Sequence, residues 1–91
     1  MAAGEILQEA AELIDKRGRH RDLGPERSMR RTVGAFNTLT GHTLTESQGW
    51  LFMAVLKLAR ATAGELHKDD LLDAAAYCAL MLEHELLAVS L

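Results

Sequence analysis

A chain of 91 residues is short for a globular domain and buries a thin core, so it is read as one domain spanning 1–91. Its residues are 48% hydrophobic but only 4% aromatic, so the apolar supply is Leu and Ala, which favours packed helices over sheets. A net charge of −3 and a pI near 5.7 argue against sequence-independent nucleic-acid binding, which needs a basic surface; no run approaches the roughly 20 apolar residues of a membrane span.

The first expected helix covers 2–16, where Ala3, Ile6, Leu7, Ala10, Leu13 and Ile14 share one face and Glu5, Glu9, Glu12 and Asp15 lie elsewhere. This acidic start is unlike a secretory leader, and with a single cysteine the expected compartment is the cytoplasm. Gly18 is expected to end the helix, and RGRHRDLGP to form a loop whose Pro25 suits the first turn of the next one. Residues 16–31 hold seven Lys or Arg against two acidic residues, the one local excess of positive charge. The second helix is expected over 26–39, with Met29, Val33, Phe36 and Leu39 on its apolar face. Arg27, Arg30 and Arg31 line its outer side and are the candidate partner-binding residues.

TGHT at 40–43 reads as a turn, and Thr45 with Gln48 three residues on reads as a capping box that starts a third helix. From Trp50 to Ala63 that helix is apolar nearly all round, so it is expected to be buried between neighbours. Gly64 stops it. After ELHK a fourth helix, from Asp69 to about Ala88, is expected to return antiparallel against the third. The expected fold is therefore all-α, a small four-helix domain with an antiparallel hairpin of helices three and four. Its surplus of apolar segments predicts a homo-oligomer, with the face around Trp50 and Met53 shared between copies. Cys78 is expected to be a small core residue.

The stretch from Lys57 to Tyr77 sets cations and carboxylates on helices otherwise built from Leu and Ala. Lys57 and Arg60 project from one side of helix three, and Asp69, Asp70 and Asp73 occupy the start of helix four. Two accounts follow: Lys57 and Arg60 pair with Asp73 and with Asp69 or Asp70, or the charges converge on a phosphate-bearing ligand, the cations on its oxygens and the carboxylates on a hard divalent ion. Asp73, Tyr77 and His84 form a polar stripe down helix four. His20, His42, His67 and His84 match no compact zinc spacing, and no nucleophile elbow or glycine-rich phosphate loop is present, so no catalytic residue and no metal site are expected.

The order Arg17-Gly18-x-His20, Lys57-x-x-Arg60 and His67-x-Asp69-Asp70-x-x-Asp73-x-x-x-Tyr77 resembles small helical proteins of unknown function encoded by tailed phages and prophages. The likeness covers about 9–85. The family pattern has RG followed by HGD, then KxxR, then HxDNxxDxxGY; this chain has Asp70 for the asparagine and Ala76 for the glycine. The resemblance makes Arg17, His20, Lys57, Arg60, His67, Asp69, Asp70, Asp73 and Tyr77 the candidate ligand- or anion-binding residues.

A second likeness is to the MazG-type all-α nucleoside triphosphate pyrophosphatases, which hold magnesium with ExxE on one helix and ExxD on the next. Asp70-Leu-Leu-Asp73 looks like the second half, but Lys57 and Arg60 stand where the first pair of carboxylates should be, and Glu9-Ala-Ala-Glu12 lies on the first helix. The expected function is that of a phage or prophage accessory protein in the bacterial host cytoplasm. It would act by binding a host protein or a nucleotide rather than by catalysis, with no cofactor. The alternatives are a MazG-like nucleotide pyrophosphohydrolase using Asp70, Asp73 and Mg, and a structural protein of the virion.

Overall fold

In the computed structural model the backbone is described for residues 1–22 and 28–90 and the side chains for 1–16 and 28–88. It consists of four helices: α1 (Ala3–Asp22), α2 (Ser28–Thr40), α3 (Glu46–Ala61) and α4 (Lys68–Ser90). The described residues form no strand, so the fold is all-α. No helix among them is long and apolar enough to cross a membrane.

The contacts order the helices in space as α1, α4, α3, α2: α4 packs on both α1 and α3, and α2 packs on α3. Pairings between α3 and α4 run Glu46 with His84, Ser47 with Glu85, Trp50 with Tyr77 and Lys57 with Asp73, so the first turns of α3 meet the last turns of α4. Two apolar clusters fill the spaces between helices. Met29, Val33, Trp50 and Leu80 form one, joining α2, α3 and α4. Ala10, Leu72 and Ala76 form the other, joining α1 to α4, and Ile14 touches both. Alanine dominates the second cluster because two helices approach closely only where side chains are short.

Local chemistry fixes the turn between α2 and α3. Gly41 takes φ of 73°, the left-handed conformation that suits glycine at a helix end, and its N–H donates to Asn37 O at 2.9 Å. The Asn37 side chain then holds Leu44 by two bonds: its Nδ2 donates to Leu44 O at 3.0 Å and its Oδ1 accepts from Leu44 N at 2.9 Å. One residue later the expected capping box is present in full, with Thr45 Oγ1 accepting from Gln48 N at 3.1 Å and Gln48 Oε1 accepting from Thr45 N at 2.9 Å. Gly49 lets α2 lie against α3. A Cβ there would overlap Met29 Sδ and come within 2.8 Å of Val33 Cγ2. Because Asn37 satisfies both backbone groups of a partly buried residue, Asn37→Ala is expected to cost about 2 kcal/mol, read as a lower urea midpoint with unchanged slope.

Four expectations need correction. Helix α1 does not end at Gly18 but continues to Asp22, since a single glycine costs a helix only about 1 kcal/mol and does not by itself break it. Helix α3 is not buried all round: Ser47, Gly49, Trp50, Ala54 and Ala61 are buried, whereas Leu51, Phe52, Val55, Leu56 and Leu58 are exposed. Trp50 is not on an outer shared face; it is 5% exposed and stacks on Tyr77 with ring centroids 5.7 Å apart. Cys78 is exposed, because Leu72, Ala76 and Leu80 take the inward positions of α4 on either side of it. The placement of Pro25 lies outside the described residues.

Candidate functional site

The charged residues singled out in the sequence meet where the end of α3 faces the start of α4. Lys57 Nζ is 3.0 Å from Asp73 Oδ2 and 3.9 Å from Asp70 Oδ1, while Arg60 Nε is 3.6 Å from Asp70 Oδ1. The three-residue step from Lys57 to Arg60 matches the three-residue step from Asp70 to Asp73, so two single-turn spacings register against each other. Arg60 reaches Asp70 and not Asp69, which is exposed on the outer side of the first turn of α4.

Burial divides the cluster. The side chains of Asp70 and Asp73 are each 10% exposed and that of Lys57 is 15% exposed, while the Arg60 side chain remains 59% exposed. The Lys57–Asp73 pair therefore sits in a low-dielectric environment where each ion needs the other. Arg60 contributes a solvated, screened contact of well under about 1 kcal/mol. The carboxylates also lie at the start of α4, where the helix field favours negative charge.

Asp73, Tyr77 and His84 do share one stripe, and what they face is α3. Asp73 meets Lys57, Tyr77 stacks on Trp50, and His84 Nδ1 lies 3.4 Å from Glu46 Oε2. Beside that last pair the Ser47 hydroxyl donates to Glu85 Oε1. Polar contacts thus bracket the apolar middle of the α3–α4 contact at both ends. Ser47, Glu46 and Glu85 were not singled out in the sequence; the seven-residue step from Tyr77 to His84 was the available signal, and it named only one side of the pairing.

The remaining candidates are dispersed. His67 is exposed, and its carbonyl accepts from Leu71 N at 3.4 Å at the start of α4. Arg30 and Arg31 are exposed on the first turn of α2. Arg17, His20 and Arg27 lie outside the residues whose side chains are described.

A divalent metal does not fit the cluster. Magnesium needs several oxygen ligands and a surplus of negative charge. Here the two carboxylates already face Lys57 and Arg60, and the described residues contain no group of three or more His, Cys, Asp or Glu able to hold an ion. Glu9 of the Glu9-Ala-Ala-Glu12 spacing does approach α4, but its Oε1 lies 3.5 Å from Lys68 Nζ. The cluster can order the contact between α3 and α4, since sliding one helix by a turn would separate two buried carboxylates from a largely buried ammonium.

A separate cleft of about 220 Å³ opens between α2, α3 and α4 beside Trp50, with Arg30, Glu46, Glu83 and His84 at its rim. A wholly apolar groove of about 240 Å³ runs between α2 and α3, lined by Val33, Phe36, Leu44, Phe52 and Met53 among others. No curated protein and no solved structure matches this chain. One family model does match, covering residues 5–85, and the chain belongs to that family, the domain of unknown function DUF6378.

Proposed function

We propose that this protein acts by binding rather than by catalysis, and that it does so as a homo-oligomer in which α3 and α4 form an antiparallel hairpin. One observation carries this reading. The outer side of α3 exposes Leu51, Phe52, Val55, Leu56 and Leu58, with Phe52 69% exposed. Large exposed apolar patches mark association surfaces.

The charged hairpin serves this reading as scaffold, because Lys57 and Arg60 meet Asp70 and Asp73 across the α3–α4 contact. On the likeness to small phage and prophage proteins, we assign the chain an accessory role in the bacterial cytoplasm, with an acidic patch on a host protein as the second partner. Arg30 supports this, being exposed on the first turn of α2.

Sedimentation velocity at micromolar concentration is expected to give a species heavier than one 10.0 kDa chain. A 10.0 kDa species alone would overturn the oligomer. Magnesium with a nucleoside triphosphate is expected to leave the melting temperature unchanged; a rise of several degrees would favour the MazG-like alternative instead.

A further inference from the structure

We infer that the cleft beside Trp50, where α2, α3 and α4 meet, is a site for a small organic monoanion, an apolar body carrying one carboxylate that Arg30 receives. The inference does not rest on self-association. Three buried side chains make the floor, Met29 of α2, Trp50 of α3 and Leu80 of α4, and the exposed Leu87 extends it outward. The rim is charged, with Arg30, Glu46, Glu83 and His84 around the opening. Sites for small molecules combine these two features: apolar walls that gain by losing water, and a few polar groups that fix orientation. The groove between α2 and α3 is wholly apolar and has nothing with which to select one ligand over another.

The rim decides the sign of the ligand. Glu46 Oε2 already has His84 Nδ1 at 3.4 Å, and Glu83 is also partnered. Arg30 differs: it is exposed on the first turn of α2, and among the described residues nothing pairs with it. A guanidinium at the edge of an apolar floor is a fork that fits a carboxylate by two parallel bonds. Two carboxylates on the same rim oppose a second negative charge, which selects a monoanion over a phosphate dianion. Size narrows the class further. A cleft of about 220 Å³ has room for about seven waters at roughly 30 Å³ each, which suits a molecule of about ten non-hydrogen atoms and is too little for a whole nucleotide. Met29 lines this cleft and the neighbouring groove alike, and its unbranched thioether lets the floor adjust to the body of the ligand. The guanidinium is the same one offered above to an acidic protein, so a free carboxylate and a protein-borne one would compete for it.

Trp50 is the only tryptophan of the chain and lies in the floor, so its fluorescence reports occupancy. The full chain is titrated with 3-phenylpropionate, with its neutral amide 3-phenylpropanamide and with the cationic 3-phenylpropylamine, at constant ionic strength. The carboxylate is expected to shift the emission saturably and to bind at least about ten-fold more tightly than the amide, with the amine weakest. Arg30→Gln is expected to bring carboxylate and amide to within about two-fold of each other, and Arg31→Gln, one residue off the cleft, to preserve the preference. Equal binding of carboxylate and amide, tightest binding of the amine, or no saturable response to any of the three overturns the site. So does a preference that survives Arg30→Gln, or one that Arg31→Gln abolishes as well. Should Arg30→Gln lose its helical circular dichroism, salt decides on the unaltered chain: raising sodium chloride from about 0.05 to about 0.5 M is expected to weaken the carboxylate several-fold and leave the amide unchanged. A carboxylate affinity indifferent to salt overturns the role of Arg30.

Discussion

Lys57→Met is expected to destabilise the protein by about 3 kcal/mol, a loss of some 15 °C or more in melting temperature for a domain of this size. The methionine keeps most of the apolar stem, so what disappears is the ammonium 3.0 Å from Asp73 and 3.9 Å from Asp70. Both carboxylates are then left in the α3–α4 contact with the half-solvated Arg60 as the remaining described cation beside them. The size of the effect comes from the loss of a cation beside two largely buried carboxylates and not from a strong net attraction, which is why surface pairs of the same geometry are worth far less. Adding Asp70→Leu and Asp73→Leu to Lys57→Met is therefore expected to recover part of the loss. Thermal and urea unfolding followed by circular dichroism provide the measurement. A Lys57→Met protein as stable as the parent would show that water reaches the cluster and neutralises it without help from lysine.

Trp50→Ala is expected to cost about 4 kcal/mol, the range for emptying a large aromatic from a packed core. Trp50 joins the cluster of Met29, Val33 and Leu80 and stacks on Tyr77, so its removal opens a void against three helices. A domain of this length has a total stability of only about 5–14 kcal/mol, so the variant will be close to the unfolding threshold at 37 °C. The loss should not depend on protein concentration, because Trp50 faces the interior of one chain. A loss that vanished at high concentration would instead place this side chain at the contact between copies. Chemical denaturation at two concentrations separates these outcomes.

The comparison between Trp50 and Phe52 shows where sequence reasoning ran out. Both lie in the unbroken apolar run GWLFMAVL at 49–56, and periodicity cannot rank the faces of a helix that is apolar nearly all round. Which face turns inward was decided by Gly49, whose missing side chain admits Met29 and Val33 of α2, and by Lys57, which must meet Asp73 of α4. Trp50 follows those two inward, and Phe52 is carried outward. The same limit explains Cys78, placed in the core on composition and found exposed. The continuation of α1 past Gly18 has a simpler cause: one glycine is a weak helix breaker when the residues around it can extend the hydrogen-bonded ladder.

Elsewhere short-range chemistry was enough. The Thr45/Gln48 box is a matter of residues three apart, and it appears bond for bond. The meeting of Lys57 and Arg60 with Asp70 and Asp73 was likewise legible, because a short loop after Gly64 leaves the two charged turns within reach of each other. The choice between Asp69 and Asp70 depended on the rotation of α4, which Leu72 and Ala76 set by packing against Ala10 of α1. The pairs Glu46–His84 and Ser47–Glu85 join residues 38 apart in the chain, a separation at which no local pattern speaks.

By itself, then, the sequence determined the helical class, the capped start of α3 and the charge pairing near the α3–α4 turn, all of which depend on interactions between residues close along the chain. Only the tertiary structure decided which side of α3 is covered, that Trp50 and not Phe52 fills the core, and that Asp70, Asp73 and most of Lys57 are buried while Arg60 stays exposed. Burial of a helix face is a property of what packs against it, and that depends on long-range contacts.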